Sequence, residues 1–429
     1  MIHVCDAIMG SGKSQSAIAY MNAHPHTKFI YISPYKDDGP VIKARCPDLN
    51  FVVPAKLPNF GLSKTEHCRS LLEHGSNIAC THELFKRYDR EILDMIRSQH
   101  YTIIIDEEVD VLEECAMASD DIDLLEIGGY VEKDGEGNIT QLEKEYKGEL
   151  YKDFFYMLRN RKLECCCVAG NETKYFYWQL PPDLLQAFDE VFILTYLFDC
   201  QGIRYMLDMY GMEYDHIYIK RTAGGGYAFS ETPSYLPEYV SHITDMIEIY
   251  EGDNLNEIGN KVNNECPLSM NWFNSKKEER ADVLKNNLYN YFRFYTDARS
   301  DEKLWATYNS AEGKIKGKGY SSGFLVFNKK GSNEFRHKKA LAYCVNLYVS
   351  PQTKNYYAKY GITPDEDARA LSIMIQWIWR SAIRDGQKIQ IYIPSERMRT
   401  LLKDWMAKIE ADAKSGRWAQ HGQQFEMAS

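Results

Sequence analysis

The densest chemical grouping in the chain lies near its start, where Met9-Gly10-Ser11-Gly12-Lys13-Ser14 follows a short strand-like run, Ile2 to Ile8, and leads into a helical pattern through Ala17 to Met21. Strand, glycine loop and helix in that order make a phosphate cradle. Successive backbone N–H groups and the helix N-terminus face the phosphates, and glycines avoid Cβ clashes with them. Gly10, Ser11 and Gly12 would supply the cradle, Lys13 would neutralise phosphate charge, and Ser14 would bind Mg²⁺ through its hydroxyl. A Gly-Lys-Ser tripeptide is weak evidence alone, so a second grouping matters. Tyr101-Thr102-Ile103-Ile104-Ile105 reads as a buried parallel strand that ends in Asp106, Glu107, Glu108 and Asp110. Open α/β sheets place their ligands at such carboxyl ends. Asp106 would hold Mg²⁺ and Glu107 would polarise the attacking water, which is the division of labour that ATP hydrolysis requires. Glu108 and Asp110 are equally readable as solvated or capping carboxylates.

The order of further motifs resembles the motor core of superfamily 2 helicases. Ala7 stands where the first glycine of the phosphate loop is usual, a departure common in helicase-type loops. Phe29-Ile30-Tyr31-Ile32-Ser33-Pro34 is a strand closing on Ser-Pro, like the first nucleic-acid-contacting motif, and Asn77 to Phe85 resembles the Thr-Thr-His-x-Leu-Phe segment of such motors. The resemblance implies that Ser33 and Thr81 donate to backbone phosphates; each is equally a turn or cap residue by type. Glu190 to Leu197, with Thr195, sits where the family links hydrolysis to strand contacts. Leu371 to Arg384 reads as a helix with Gln376, Arg380 and Arg384 at i, i+4 and i+8, similar to the Gln-x-x-Gly-Arg-x-x-Arg motif, with Trp379 in the glycine's place. By that likeness an arginine there reaches the γ-phosphate of ATP held between two lobes. Asn328 to Glu334 occupies the place of a motif touching nucleic acid and nucleotide, which implies contacts from Lys329, Lys330 and Asn333. These residues lie in a segment, 314 to 339, holding eight Lys or Arg against one acid, Glu334. It is either a phosphate-binding surface or a solvated basic loop.

The elements that must position these groups alternate between strand and helix patterns, and the chain's length suggests two to three domains. The expected fold is α/β: two RecA-like P-loop domains with parallel sheets plus a connector or inserted segment. Residues 1–200 form the first domain, 201–295 a helical connector or insertion, 296–410 the second domain, and 411–429 a mobile tail. In the second domain, Lys303 to Asn309 and Gly323 to Asn328 read as strands, Ala340 to Val349 as a helix, and Lys388 to Ser395 as a strand. The three adjacent cysteines, Cys165 to Cys167, read as part of a buried strand from Leu163 to Ala169 whose neighbours face opposite ways. Eleven cysteines at irregular spacing, with no C-x-x-C pair, do not make a disulfide framework. Charged residues at 26% and the lack of any apolar run of membrane-spanning length suggest a cytoplasmic protein without a membrane partner. A net charge of -10 argues against a generic basic nucleic-acid coat protein. The expected activity is ATP- and Mg²⁺-dependent translocation on nucleic acid, DNA favoured over RNA, in phage replication or recombination and alongside replication proteins. A terminase-like packaging ATPase and a non-processive ATP-gated binding protein are the alternatives.

Overall fold

The computed structural model describes all residues except 168–173, 234–242, 262–264, 276–277, 330–333 and 416–429. It divides into two compact units: one made of Met1–Asp6, Lys13–Thr232 and Val349–Pro364, the other of Ala7–Gly12, Pro233–Tyr348 and the chain from Asp365 onward.

In the first unit the strands are β1 (Ile2–Asp6), β2 (Lys28–Ser33), β3 (Ile78–Thr81), β4 (Tyr101–Asp106), β5 (Leu112–Glu114), β6 (Val131–Lys133), β7 (Asn138–Gln141), β8 (Lys162–Cys167), β9 (Lys174–Gln179), β10 (Glu190–Thr195), β11 (Asp215–His216), β12 (Tyr218–Arg221) and β13 (Tyr227–Ser230). Six of them form a parallel sheet in the order β11-β1-β10-β4-β2-β3. Its inner strands are apolar on consecutive residues because both faces are covered, and Val4, Ile30, Ile103, Ile105 and Ile193 are fully buried. Helices supply the cover. Arg90–Gln99 turns Ile92, Leu93 and Ile96 inward, and its start is fixed by Asp89, which accepts the Ile92 N–H at 3.0 Å. Since all six strands run the same way, Asp6, Ser33, Thr81, Asp106 and Thr195 come to one edge of the sheet.

An antiparallel sheet, β5-β9-β8-β7-β6, follows the acidic strand end and has its own core of Ile122, Leu125, Phe154, Phe155, Leu163 and Trp178. Cys165 joins that core, whereas Cys166 packs on the other face with Tyr177, Tyr205, Tyr356 and Tyr357. Strand pleating thus separates the two thiols as the sequence suggests. Ala169 lies outside the described residues.

The second unit holds a four-stranded parallel sheet of β14 (Ile247–Ile249), β15 (Lys303–Ala306), β16 (Ala340–Tyr343) and β17 (Ile389–Tyr392), in the order β14-β17-β16-β15. These two parallel sheets are the two RecA-like domains. The stretch 201–295 contributes β11 to one and β14 to the other. Ala340 to Val349, whose composition reads as helical, is instead strand and extended chain: β16 is central, buried on every residue, and burial between two neighbours overrides the helix preference of Ala and Leu. Gly323 to Asn328 forms no strand; it touches the sheet by one bridge, Phe324 to Trp305. Near the end of β17 a Cβ built on Gly259 would lie 1.7 Å from the Pro394 carbonyl oxygen, so only glycine fits there. Gly259→Ala is expected to cost on the order of 3 kcal/mol through overpacking, read as a lowered urea midpoint, and a midpoint equal to the parent's would refute this close approach.

Candidate nucleotide site

The helix Lys13–Ala23 begins directly after a loop in which Gly10 (φ 77°) and Gly12 (φ 101°) take left-handed backbone, the conformation that glycine alone adopts at no steric cost. Ser14 Oγ, at the start of that helix, donates to Asp106 Oδ2 at 2.9 Å, joining residues 92 apart in sequence. The Tyr31 hydroxyl donates to the same carboxylate oxygen, and burial beside Asp106 keeps that phenol protonated by raising it well above its ordinary value. His82 Nε2–H donates to the Asp106 carbonyl oxygen at 2.9 Å, which fixes the backbone at the strand end. Ser14 and Asp106 therefore present two hard oxygen donors of the kind Mg²⁺ takes, and the chain directly before Lys13 carries the glycines that a phosphate cradle requires.

Lys13 is drawn below the ordinary lysine value by burial, against the opposing pull of Cys5, Asp106, Asp6 and Glu107. Asp6 is a member of this group that the motif pattern does not single out. It ends β1, and its two carboxylate oxygens accept the N–H groups of Leu197 (2.8 Å) and Phe198 (3.0 Å) where the chain leaves β10. Burial pushes its carboxyl up to about 6, opposed by the Phe198 N–H and Lys13. An acid one residue before a phosphate loop was its only sequence signal. Glu107 has left-handed backbone (φ 63°), its N–H donates to the Leu194 carbonyl at 2.9 Å, and its Oε1 accepts the Tyr35 hydroxyl at 3.1 Å. Glu108 is buried and its Oε1 accepts the Gly202 N–H at 3.1 Å, at the start of the helix Gly202–Met209, a capping role.

Ser33 and Thr81 end β2 and β3 at the same end of the sheet as Asp106. Ser33 is buried and its hydroxyl bonds the backbone of Tyr35, accepting from N at 3.2 Å and donating to O at 3.1 Å, so it serves the turn. Thr81 precedes the short helix His82–Phe85 with no side-chain capping bond. In the basic segment every described cation except Lys338 is exposed, and several have partners nearby. Lys338 is buried and donates to the Asp301 carbonyl at 2.7 Å, Arg336 pairs with Asp385, Lys316 with Glu312 at 3.0 Å, Lys339 with Glu302 at 3.5 Å, and Lys314 donates to the Phe273 carbonyl. Lys318 and Lys329 are exposed as well, while Lys330 and Asn333 lie outside the described residues.

The arginine stripe also changes. The helix Glu366–Ile378 stops before Arg380, and Arg384 lies in a separate turn, Ala382–Asp385, so Gln376, Arg380 and Arg384 do not share one helical face. Buried Trp379 packs edge-on against Trp405 at 5.9 Å where the helix ends. Gln376 Nε2 donates to Ser372 Oγ at 3.5 Å, and Arg384 is exposed. Arg380 is buried, and its Nε and Nη1 have no hydrogen-bond partner among the described residues.

Two RecA-like α/β domains, the first carrying a strand, glycine loop and helix against an acidic strand end, define the class. A solved structure named "XPD_Helicase" has the same overall fold, with a TM-score of 0.50 at 12% identity over 95% of this chain and 94% of that one. The family described as the YonV C-terminal Rossmann-like domain matches residues 241–406. The SPbeta prophage-derived uncharacterized protein YonV of Bacillus subtilis (strain 168) is 37% identical over 415 residues, 94% of this chain and 98% of that protein. The chain belongs to the YonV family. No described helix is long and apolar enough to cross a membrane.

The raised Asp6 carboxyl gives a stability signature. Its folded-state value lies above the ordinary 3.8, so its contribution is present at low pH and lost as pH rises through about 6. Asp6→Asn carries no such charge, and its melting temperature should gain on the parent's between about pH 4 and about pH 7. A difference that stays constant across that series would show that desolvation does not hold the Asp6 carboxyl up.

Proposed function

We propose that this chain is a Mg²⁺-dependent ATPase that moves on nucleic acid, DNA before RNA, as a helicase or translocase in the replication or recombination of a phage genome. The observation that carries the ATPase reading is the Ser14 to Asp106 hydrogen bond, which brings the phosphate loop and the acidic strand end to one place. The fold it shares with a helicase structure and the prophage origin of its relative support the motor and the setting.

Bound Mg²⁺ would supply charge neutralisation at the β- and γ-phosphates. Ser14 and Asp106 would hold it, Gly10, Ser11 and Gly12 would cradle phosphate oxygens through the backbone, and Lys13 would add a cation. Glu107 accepts a proton from water as the water oxygen bonds to the γ-phosphorus and the bond from that phosphorus to the β–γ bridging oxygen breaks, leaving ADP and phosphate. Arg380, a buried guanidinium with unmade hydrogen bonds, is the better candidate for transition-state charge; exposed Arg384 is the poorer one. Lys318 and Lys329, both exposed, would meet backbone phosphate.

Hydrolysis measured with single-stranded DNA, duplex DNA, RNA and no nucleic acid tests the reading directly: DNA is expected to accelerate turnover most. Rates indifferent to every nucleic acid would sink the motor assignment. Lys13→Ala should abolish turnover, whereas Glu107→Gln should still bind ATP and accumulate it unhydrolysed. Parent-like hydrolysis by either variant contradicts its assigned role. Arg380→Ala is expected to lower kcat roughly a thousandfold with ATP affinity within about threefold, and Arg384→Ala to lower it far less. Equal effects in single-turnover hydrolysis would remove the distinction between the two arginines.

A further inference from the structure

Glu107 occupies a backbone conformation that few residues other than glycine adopt, with φ of 63°. Such a conformation persists only where its surroundings hold it, and it turns the residue out of the line of β4. One hold is on the main chain, from the Leu194 carbonyl to the Glu107 N–H at 2.9 Å. The side chain has a separate one, the Tyr35 hydroxyl donating to Oε1 at 3.1 Å. Tyr35 is itself fixed. It follows Pro34, whose ring restricts the backbone, and both its N–H and its carbonyl are bonded to the hydroxyl of buried Ser33 at the end of β2. Strand β2 lies beside β4, with Ile32 opposite Ile105, so the turn after one strand stands next to Glu107, the acid that follows the other. A donor without charge orients a carboxylate and leaves its negative charge available for a proton.

We propose that Tyr35 is a positioning residue for the water-activating carboxylate of Glu107, holding it through the phenolic hydroxyl. The inference rests on the ATPase reading above and adds to it the residue that aims the base. Removal of the hydroxyl in Tyr35→Phe keeps the ring and should leave the P-loop contacts to ATP intact. Single-turnover hydrolysis should slow roughly ten- to hundredfold, the loss of one hydrogen bond to a charged group. Binding of N-methylanthraniloyl-ATP should stay within about twofold. Adding Tyr35→Phe to Glu107→Gln should then change the residual rate by less than about twofold, because the residue acts through the carboxylate that is already gone.

Three results overturn the inference: parent-like hydrolysis by Tyr35→Phe, a loss explained by weaker nucleotide binding, or an equal further loss in the Glu107→Gln background. If the parent hydrolyses ATP and Glu107→Gln does not, yet Tyr35→Phe matches the parent, this inference falls alone. A parent that does not hydrolyse ATP overturns the ATPase reading along with it.

Discussion

The hydrogen bond from Ser14 to Asp106 can form only if the sheet is built in one way. In the strand order β1 and β4 are not neighbours: β10 lies between them, so their axes are roughly 9.5 Å apart. The loop between β1 and its helix must therefore let Ser14 reach a strand that β1 does not touch, and Gly10 and Gly12 give that loop left-handed backbone. Asp106 must end its strand level with Leu194, and Asp6 level with Thr195, as the register of the three strands provides. The buried isoleucines and valines of these strands matter to function because they set that register. A slip of one residue would send every side chain at the strand end to the other face.

Around this bond the site uses phenols and backbone amides to aim its acids. Tyr31 orients Asp106, Tyr35 orients Glu107, and the Leu197 and Phe198 amides hold Asp6. None of these donors cancels the carboxylate charge, and Lys13 is a single cation beside three acids. Burial desolvates Asp6 and Lys13 alike. The raised Asp6 carboxyl and the lowered Lys13 ammonium are the two sides of that desolvation.

In the second unit the arginines sort by whether their hydrogen bonds are made. Arg397 bonds Asp367 at 2.7 Å and the Leu347 carbonyl at 2.8 Å, and Arg399 bonds the Ile393 carbonyl at 2.7 Å and Asn256 at 3.1 Å, so both tie the helix Glu396–Ser415 to the sheet ends. Arg380 is buried without that compensation at Nε and Nη1. A buried guanidinium with unmade bonds is expensive.

The chain's own pattern determined what is local. The strand, glycine loop and helix, and the apolar run ending in Asp106, depend on neighbours in sequence, so spacing and residue type suffice to read them. The α/β class with two parallel sheets follows from the same alternation. Tertiary structure decided the rest. Ala340 to Tyr343 became a strand because two other strands flank it; the helix before Arg380 stopped at Ile378; and Lys338 and Lys339 found a carbonyl and an acid far away in sequence. Asp6, Tyr31 and Tyr35 gained their roles only when β1, β2, β4 and β10 were laid side by side, because a hydrogen bond depends on distance in space, and residues 72 and 75 apart carry no periodicity that would announce it.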